Sequence, residues 1–223
     1  MPPNIQLAFV KWKQQSETTL LFPVFLVIVG VLLFTSGYSQ QVSQPPAPIV
    51  TSSTRVISPA NDQRTTFQSS ALPYSPPVSI DIPSIDVSSD LLHLGKQSSG
   101  SLEVPSRTNY DKAAWYDKSP SPGQLGASII QGHVDFDGIG PAVFFNLGKL
   151  KFGNKIVVER SDGTVATFSV ETINVYKKDM FPTDKIYGTT DVASLALITC
   201  GGELNRSRGE YDSNIVVIAT LET

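Results

Sequence analysis

The sequence predicts a mostly β domain, an antiparallel sandwich or barrel, behind one transmembrane helix and an extended spacer. Three observations carry this. From Val78 onward, short runs alternate apolar and polar residues between Gly, Asp and Pro punctuation, as half-buried strands do. Leu20 to Tyr38, LLFPVFLVIVGVLLFTSGY, holds no charge and is long enough to cross a hydrocarbon core as a helix. Between the two, composition shifts to Gln, Ser, Thr and Pro, with few large apolar residues.

Residues 1–19 read as a short cytoplasmic N-terminus. Lys11 and Lys13 stand there against Glu17, and the next basic residue is Arg55. That asymmetry keeps the N-terminus inside and puts the rest of the chain outside. Residues 20–38 read as a retained anchor. Pro23 lies near its start, where a missing backbone donor costs least, and Ser36-Gly37-Tyr38-Ser39 makes a poor signal-peptide cleavage site. Residues 39–77, with QVSQPPAPIVTSSTR and SSALPYSPP, read as a poorly ordered spacer.

Residues 78–223 are the folded domain. Val78–Ile82 and Ile85–Val87 alternate as strands, and Ala127–Ile130 ends just before a Gly-His pair. Lys155–Glu159, a turn at Ser161-Asp162-Gly163 and Val165–Val170 predict a hairpin, followed by Thr172–Tyr176. Leu195–Thr199 and Asn214–Leu221 close the domain. Helix signals are short, with Val143–Leu147 good for a turn or two, and no internal repeat is evident.

A net charge of -3 with no run of Lys and Arg argues against nucleic acid and against a polybasic membrane patch. The single cysteine excludes an intramolecular disulfide and a Cys-rich metal site. Outside the cell a lone thiol is either buried and inert or does chemistry. The partners available to it are His93 and His133, the only histidines. A thiol nucleophile needs an imidazole that shuttles a proton to a leaving amine. His133 follows the strand-like ASIIQG and precedes the loop VDFDGIG, the end of a strand where functional side chains are commonly presented. His93, in SSDLLHLGK, reads as a partly buried structural residue. Cys200 ends the apolar strand LALIT, and Gly201-Gly202 after it leave room for a substrate. Arg206 and Arg208 follow in ELNRSRGEYDSN, where loop arginines are ordinarily just solvated. Asp135 and Asp137 read as loop residues rather than a calcium site.

Several segments, in order, resemble the sortase family, in particular the branch called class F or class E/F. They are IDIPSIDVSSDLLHLGKQSSGSLEVP, KAAWYDKSPSPGQLGASIIQGHVD, GPAVFFNLGKLKFGNKIVV and LALITCGGELNRSRGEYDSNIVVIA. The resemblance runs from Val78 to the C-terminus and implies a closed β-barrel of about eight strands with short helical turns. It also implies a cysteine transpeptidase with a Cys-His-Arg site. Cys200 would attack a sorting-signal Thr-Gly bond (LPXTG-like) of a secreted protein, and His133 would serve the leaving and incoming amines. Thr199 would help shape the substrate cleft. The acceptor implied is a peptidoglycan-precursor or pilin amine, on the outer face of a single-membrane, Gram-positive-type envelope, with no cofactor required. One departure stands out. Where the family places an arginine at the start of the last strand, this chain has Asp212, Ser213 and Asn214. Arg208, at an even offset from Asp212, is the preferred substitute. Two other readings compete. An L,D-transpeptidase keeps its His and Cys in one Ser-His-Gly-x-x-x-x-Cys stretch, and no His lies near Cys200. A tethered, non-enzymatic β-domain acting as a binding or structural module would need only a packed thiol.

Overall fold

The computed structural model describes residues 44–48 and 71–222. The apolar span Leu20–Tyr38 and most of the spacer lie outside the described residues, and among those described no helix is long and apolar enough to cross a membrane. Ten strands form: β1 (Pro77–Ile82), β2 (Val87–Leu94), β3 (Ala113–Tyr116), β4 (Gly126–Gln131), β5 (Asp135–Phe136), β6 (Gly140–Pro141), β7 (Lys155–Arg160), β8 (Val165–Lys177), β9 (Ala193–Asn205) and β10 (Glu210–Leu221). A short helix, α1 (Thr183–Tyr187), and several 3-10 turns complete the elements.

Eight of the strands close into a barrel in the order β1-β2-β3-β4-β9-β10-β8-β7, and β5 pairs with β6 separately. Closure is the barrel alternative of the sequence reading. Most neighbours are antiparallel, but β2–β3 and β4–β9 are parallel. The parallel β4–β9 pair explains why LALITC looks continuously apolar in sequence: β9 is covered on both faces. Ala193, Leu195 and Leu197 point into the barrel core with Ile80, Ile82, Trp115, Ile130 and Phe168, while Ala196 and Ile198 face outward into a second cluster.

Three local expectations are corrected. Ile85 belongs to a 3-10 turn, Pro83–Ile85, that Asp86 ends in the left-handed region at φ 56°. Pro83 cannot donate to a ladder and Asp tolerates that conformation, so the strand resumes only at Val87 and runs on through His93. Val165–Val170 and Thr172–Tyr176 are one strand, β8, whose pairing with β10 shifts register between Ile218 and Ala219. The turn or two expected over Val143–Leu147 forms, with Phe145 N–H donating to Ala142 O (3.0 Å) and Leu147 N–H to Phe144 O (3.1 Å), but it runs on further than expected into a 3-10 turn at Leu147–Lys149. β3 and α1 carry no usable periodicity because they are four and five residues long.

Ordered packing begins before Val78. The Leu72 N–H donates to Gly123 O (2.8 Å), and the Ser75 N–H donates to Ser121 Oγ (3.1 Å). Arg160, fully buried, donates to the Pro73 carbonyl and to Thr164 Oγ1 (3.0 Å).

Candidate active site

The site is built by the parallel pair. β4 and β9 run in register from Gly126↔Ala193 to Gln131↔Ile198. Past the ladder, the Gly132 N–H donates to Ile198 O (3.2 Å) and Thr199 Oγ1 donates to Gly132 O (2.8 Å). One step further come His133 and Cys200. Both therefore leave the barrel at the same end, on strands about 4.8 Å apart. Side chains alternate across a strand, so His133 and Cys200 share the outer face with Ile129, Gln131 and Ile198. Asn214 of β10 pairs with Cys200, and Tyr176 of β8 pairs with Asn214. One row across the outer face thus reads His133, Cys200, Asn214, Tyr176.

Glycines set the approach on both strands. A Cβ on Gly132 would lie 2.6 Å from Val143 and 2.9 Å from Phe144, so the loop after His133 folds back tightly beneath it. A Cβ on Gly201 would lie 2.6 Å from Ile215.

His133 Nε2 lies 2.7 Å from the Pro105 carbonyl. A carbonyl only accepts, so Nε2 carries the proton and Nδ1 is left to take up and release another. The Phe136 ring meets the imidazole edge-on at 5.2 Å, and the Arg107 guanidinium lies 5.3 Å from the same ring.

Cys200 is the one cysteine and is partly buried. Burial pushes its thiol up, the charge of the Lys178 ammonium opposes this, and Asp135 and Glu210 add to the rise. The thiolate is therefore a minor species at neutral pH. Tyr211 hydroxyl donates to Asp135, tying the last hairpin to the loop two residues past His133. Burial first, and then that bond, hold the Tyr211 phenol well above its usual range.

Of the residues singled out from sequence, the structure brings together Cys200, His133 and Thr199. Thr199 lies behind the cleft, 3% exposed, and its hydroxyl joins the two strands. Arg208 is not brought in. β9 runs five residues past Cys200 to Asn205, which at about 3.3 Å per residue sets the hairpin tip roughly 16 Å along the strand. There Arg208 is exposed, its backbone N–H donating to Asn205 O (3.1 Å), and among the described residues its guanidinium makes no hydrogen bond or ion pair. Arg206 sits on the same turn. His93, on β2, is more exposed than expected, yet its Nε2 donates to Pro77 O (2.8 Å) and it packs edge-on against Trp115 (5.2 Å). Lys178 went unread in the sequence. Its signal was the even step from Tyr176, visible only if β8 is one strand.

Beside the pair, the outer face carries an apolar floor of Ile129, Ala196, Ile198 and Val216, roofed by Ile186 of α1. Tyr176, Phe181 and Tyr187 line it edge to edge, with ring centroids 6.1 Å apart.

A family model described as a sortase domain matches residues 80–222, well over half the chain. The chain belongs to the sortase family. The sortase domain encloses every site residue named above. No curated protein matches the chain. Among solved structures, it is similar to sortase A from Corynebacterium diphtheriae at 21% identity and a TM-score of 0.52, covering 67% of this chain and 62% of that one. It is also similar to sortase C-1 from Actinomyces oris (24%, TM-score 0.51, covering 65% and 73%). A third, sortase C1 from Streptococcus agalactiae, gives 20% and 0.50, covering 65% and 66%. At these identities the likeness is one of fold, and the chain spans less than two thirds of the first structure's length.

Proposed function

We propose that this sortase is a membrane-anchored cysteine transpeptidase that cleaves a C-terminal sorting signal of secreted proteins and passes the acyl group to an amine. The observation that carries the reading is the adjacency of His133 and Cys200 at the ends of β4 and β9, beside an apolar cluster on the outer face that Tyr176 and Phe181 border. An extended peptide laid across that border would meet apolar and aromatic side chains beside the sulfur, as an LPXTG-like signal would require.

The steps follow from the atoms present. The Cys200 thiol gives its proton to His133 Nδ1 as sulfur attacks the scissile carbonyl, and the carbonyl π pair moves onto oxygen. The tetrahedral intermediate collapses by breaking the C–N bond, and His133 hands its proton to the leaving amine. That leaves a thioacyl on Cys200. An incoming amine, from a peptidoglycan precursor or a pilin lysine, gives a proton to His133 as it attacks the thioacyl carbon, the C–S bond breaks, and His133 returns that proton to the sulfur, which leaves as the Cys200 thiol. No cofactor enters this sequence. The uncharged span Leu20–Tyr38 supports an N-terminal anchor with the domain outside the cell, where such substrates and acceptors are met.

The test is thioacyl formation with a peptide library of sorting-signal type, read by mass spectrometry. Cys200→Ala is expected to abolish the adduct and His133→Ala to reduce it by at least about a hundredfold. Cleavage by Cys200→Ala at the native rate would sink the mechanism.

A further inference from the structure

We infer that Lys178 is the cation of this active site, facing the Cys200 sulfur and the oxygen that develops beside it, in the place where the family's arginine is missing. The inference rests on the proposed acyl transfer and names a further catalytic residue for it.

Register makes the case. Cys200 pairs with Asn214, and Asn214 with Tyr176, so these three side chains lie on one face across β9, β10 and β8. Lys177 pairs with Ser213 and is held in an ion pair with Asp212. Lys178 comes next, the first residue past the end of β8 and two beyond Tyr176, and because Lys177 keeps an extended ψ of 140° the alternation carries one step further, to the face of Tyr176 and Cys200. The chain turns there into Lys178–Met180, which holds the residue at the rim of the row. A lysine stem spans the diagonal between alternate strands that a shorter side chain would not. The positive charge of its ammonium counters the rise that burial imposes on the Cys200 thiol.

Among the described residues no other cation acts on the Cys200 thiol. Asn214, directly opposite Cys200, is neutral. Arg208 stands at the hairpin turn, and Arg107 is engaged with the Phe136 ring and the Asp137 carbonyl (3.4 Å). The other ionisable groups that act on Cys200, Asp135 from β5 and Glu210 from β10, are acidic and oppose formation of an anion there. Lys178 is thus the positive charge available when the sulfur proton passes to His133 and negative charge moves from sulfur to the carbonyl oxygen. It keeps its own proton throughout.

The experiment uses the full chain and four forms: wild type, Lys178→Met, Lys178→Arg and Arg208→Met. The first readout is the pH profile of Cys200 alkylation by iodoacetamide; the second is kcat/KM for thioacyl transfer from the peptide identified for the wild type. In Lys178→Met the alkylation midpoint is expected to move up by about one pH unit, and kcat/KM to fall at least about tenfold. Lys178→Arg should restore both within a few-fold. Arg208→Met should lose less than Lys178→Met. A wild-type alkylation profile or wild-type turnover in Lys178→Met overturns the inference, as does a larger loss in Arg208→Met. Lys178 is exposed, so its replacement leaves the barrel folded. A wild-type chain that alkylates normally but acylates with no peptide refutes the transferase reading instead, while the alkylation midpoint still tests the Lys178–Cys200 coupling.

Discussion

Gly201 and Gly202 follow Cys200 for different physical reasons. Gly201 stays in the ladder opposite Ser213, and Ile215 fills the space its side chain would take. Gly202 has φ +80°, and a Cβ there would meet Asp212 and lie 2.7 Å from Ser213 Oγ. Its conformation makes the bulge that shifts the register between Tyr211 and Ser213 and bends the hairpin away from the sulfur. An L-residue at such a φ is strained by about 1–2 kcal/mol before any clash is counted. Gly202→Ala is therefore expected to cost roughly 2–3 kcal/mol, the clash adding to the strain. Urea denaturation would show it as a lower midpoint at unchanged slope. An unaltered midpoint would mean that the bulge tolerates a side chain and that the glycine is there for access alone.

The hairpin β9–β10 is held as an element by Asp212. Its carboxylate pairs with Lys177 of β8, accepts from Ser213 Oγ (2.7 Å) and accepts from the Glu203 N–H (3.1 Å). The Lys177 bond first, with these others, holds the Asp212 carboxyl at about 2, below its usual 3.8. A carboxyl depressed on folding stabilises the native state above its unfolded value and loses that contribution as pH falls through the folded one. The window here runs from about pH 4 down to about pH 2. Asp212→Asn should lower the neutral plateau and flatten the acid limb in that window, so that the two proteins converge towards pH 2. Denaturation midpoints measured between pH 2 and pH 5 check this. An acid limb identical in both proteins would assign the loss to other carboxylates.

At the scale of the molecule, closing the sheet into a barrel removes free edges but leaves its ends to be covered. Residues 71–76 lie along the barrel at one end. Ser75 Oγ accepts from the Asp162 N–H (3.2 Å), the Pro76 carbonyl accepts from Ser161 N–H (2.8 Å), and the Pro73 carbonyl satisfies the buried Arg160. Without that segment the Arg160 guanidinium keeps Thr164 and a distant Asp162 (3.9 Å) as its partners. An unpaired buried charge is costly, so a chain beginning at Val78 should melt at least about 5 °C below one beginning at Ala71. Equal melting temperatures would show that the segment contributes nothing to the barrel's stability.

Strand identity was legible where period-2 alternation is clean. Val78–Ile82 and Lys155–Glu159 have one packed side and one more open side, and each lies inside a real strand. The fragments AAWY and TDKIY were not legible, because four or five residues hold no measurable period and their placement depends on neighbours far along the chain. His133 and Cys200 were found because a lone thiol and a strand-end histidine suit one chemistry, and ordered motifs named the family. What sequence spacing could not supply was which residues share a row. The parallel β4–β9 pairing sets His133 beside Cys200, and the unbroken β8 brings the chain to Lys178, just past its end, while the hairpin takes Arg208 away. The amino-acid order determined the nucleophile, its base and the β architecture, since these depend on residue type and local period. Only the tertiary structure decided the charge that faces them, since strand register, a relation between distant segments, sets it.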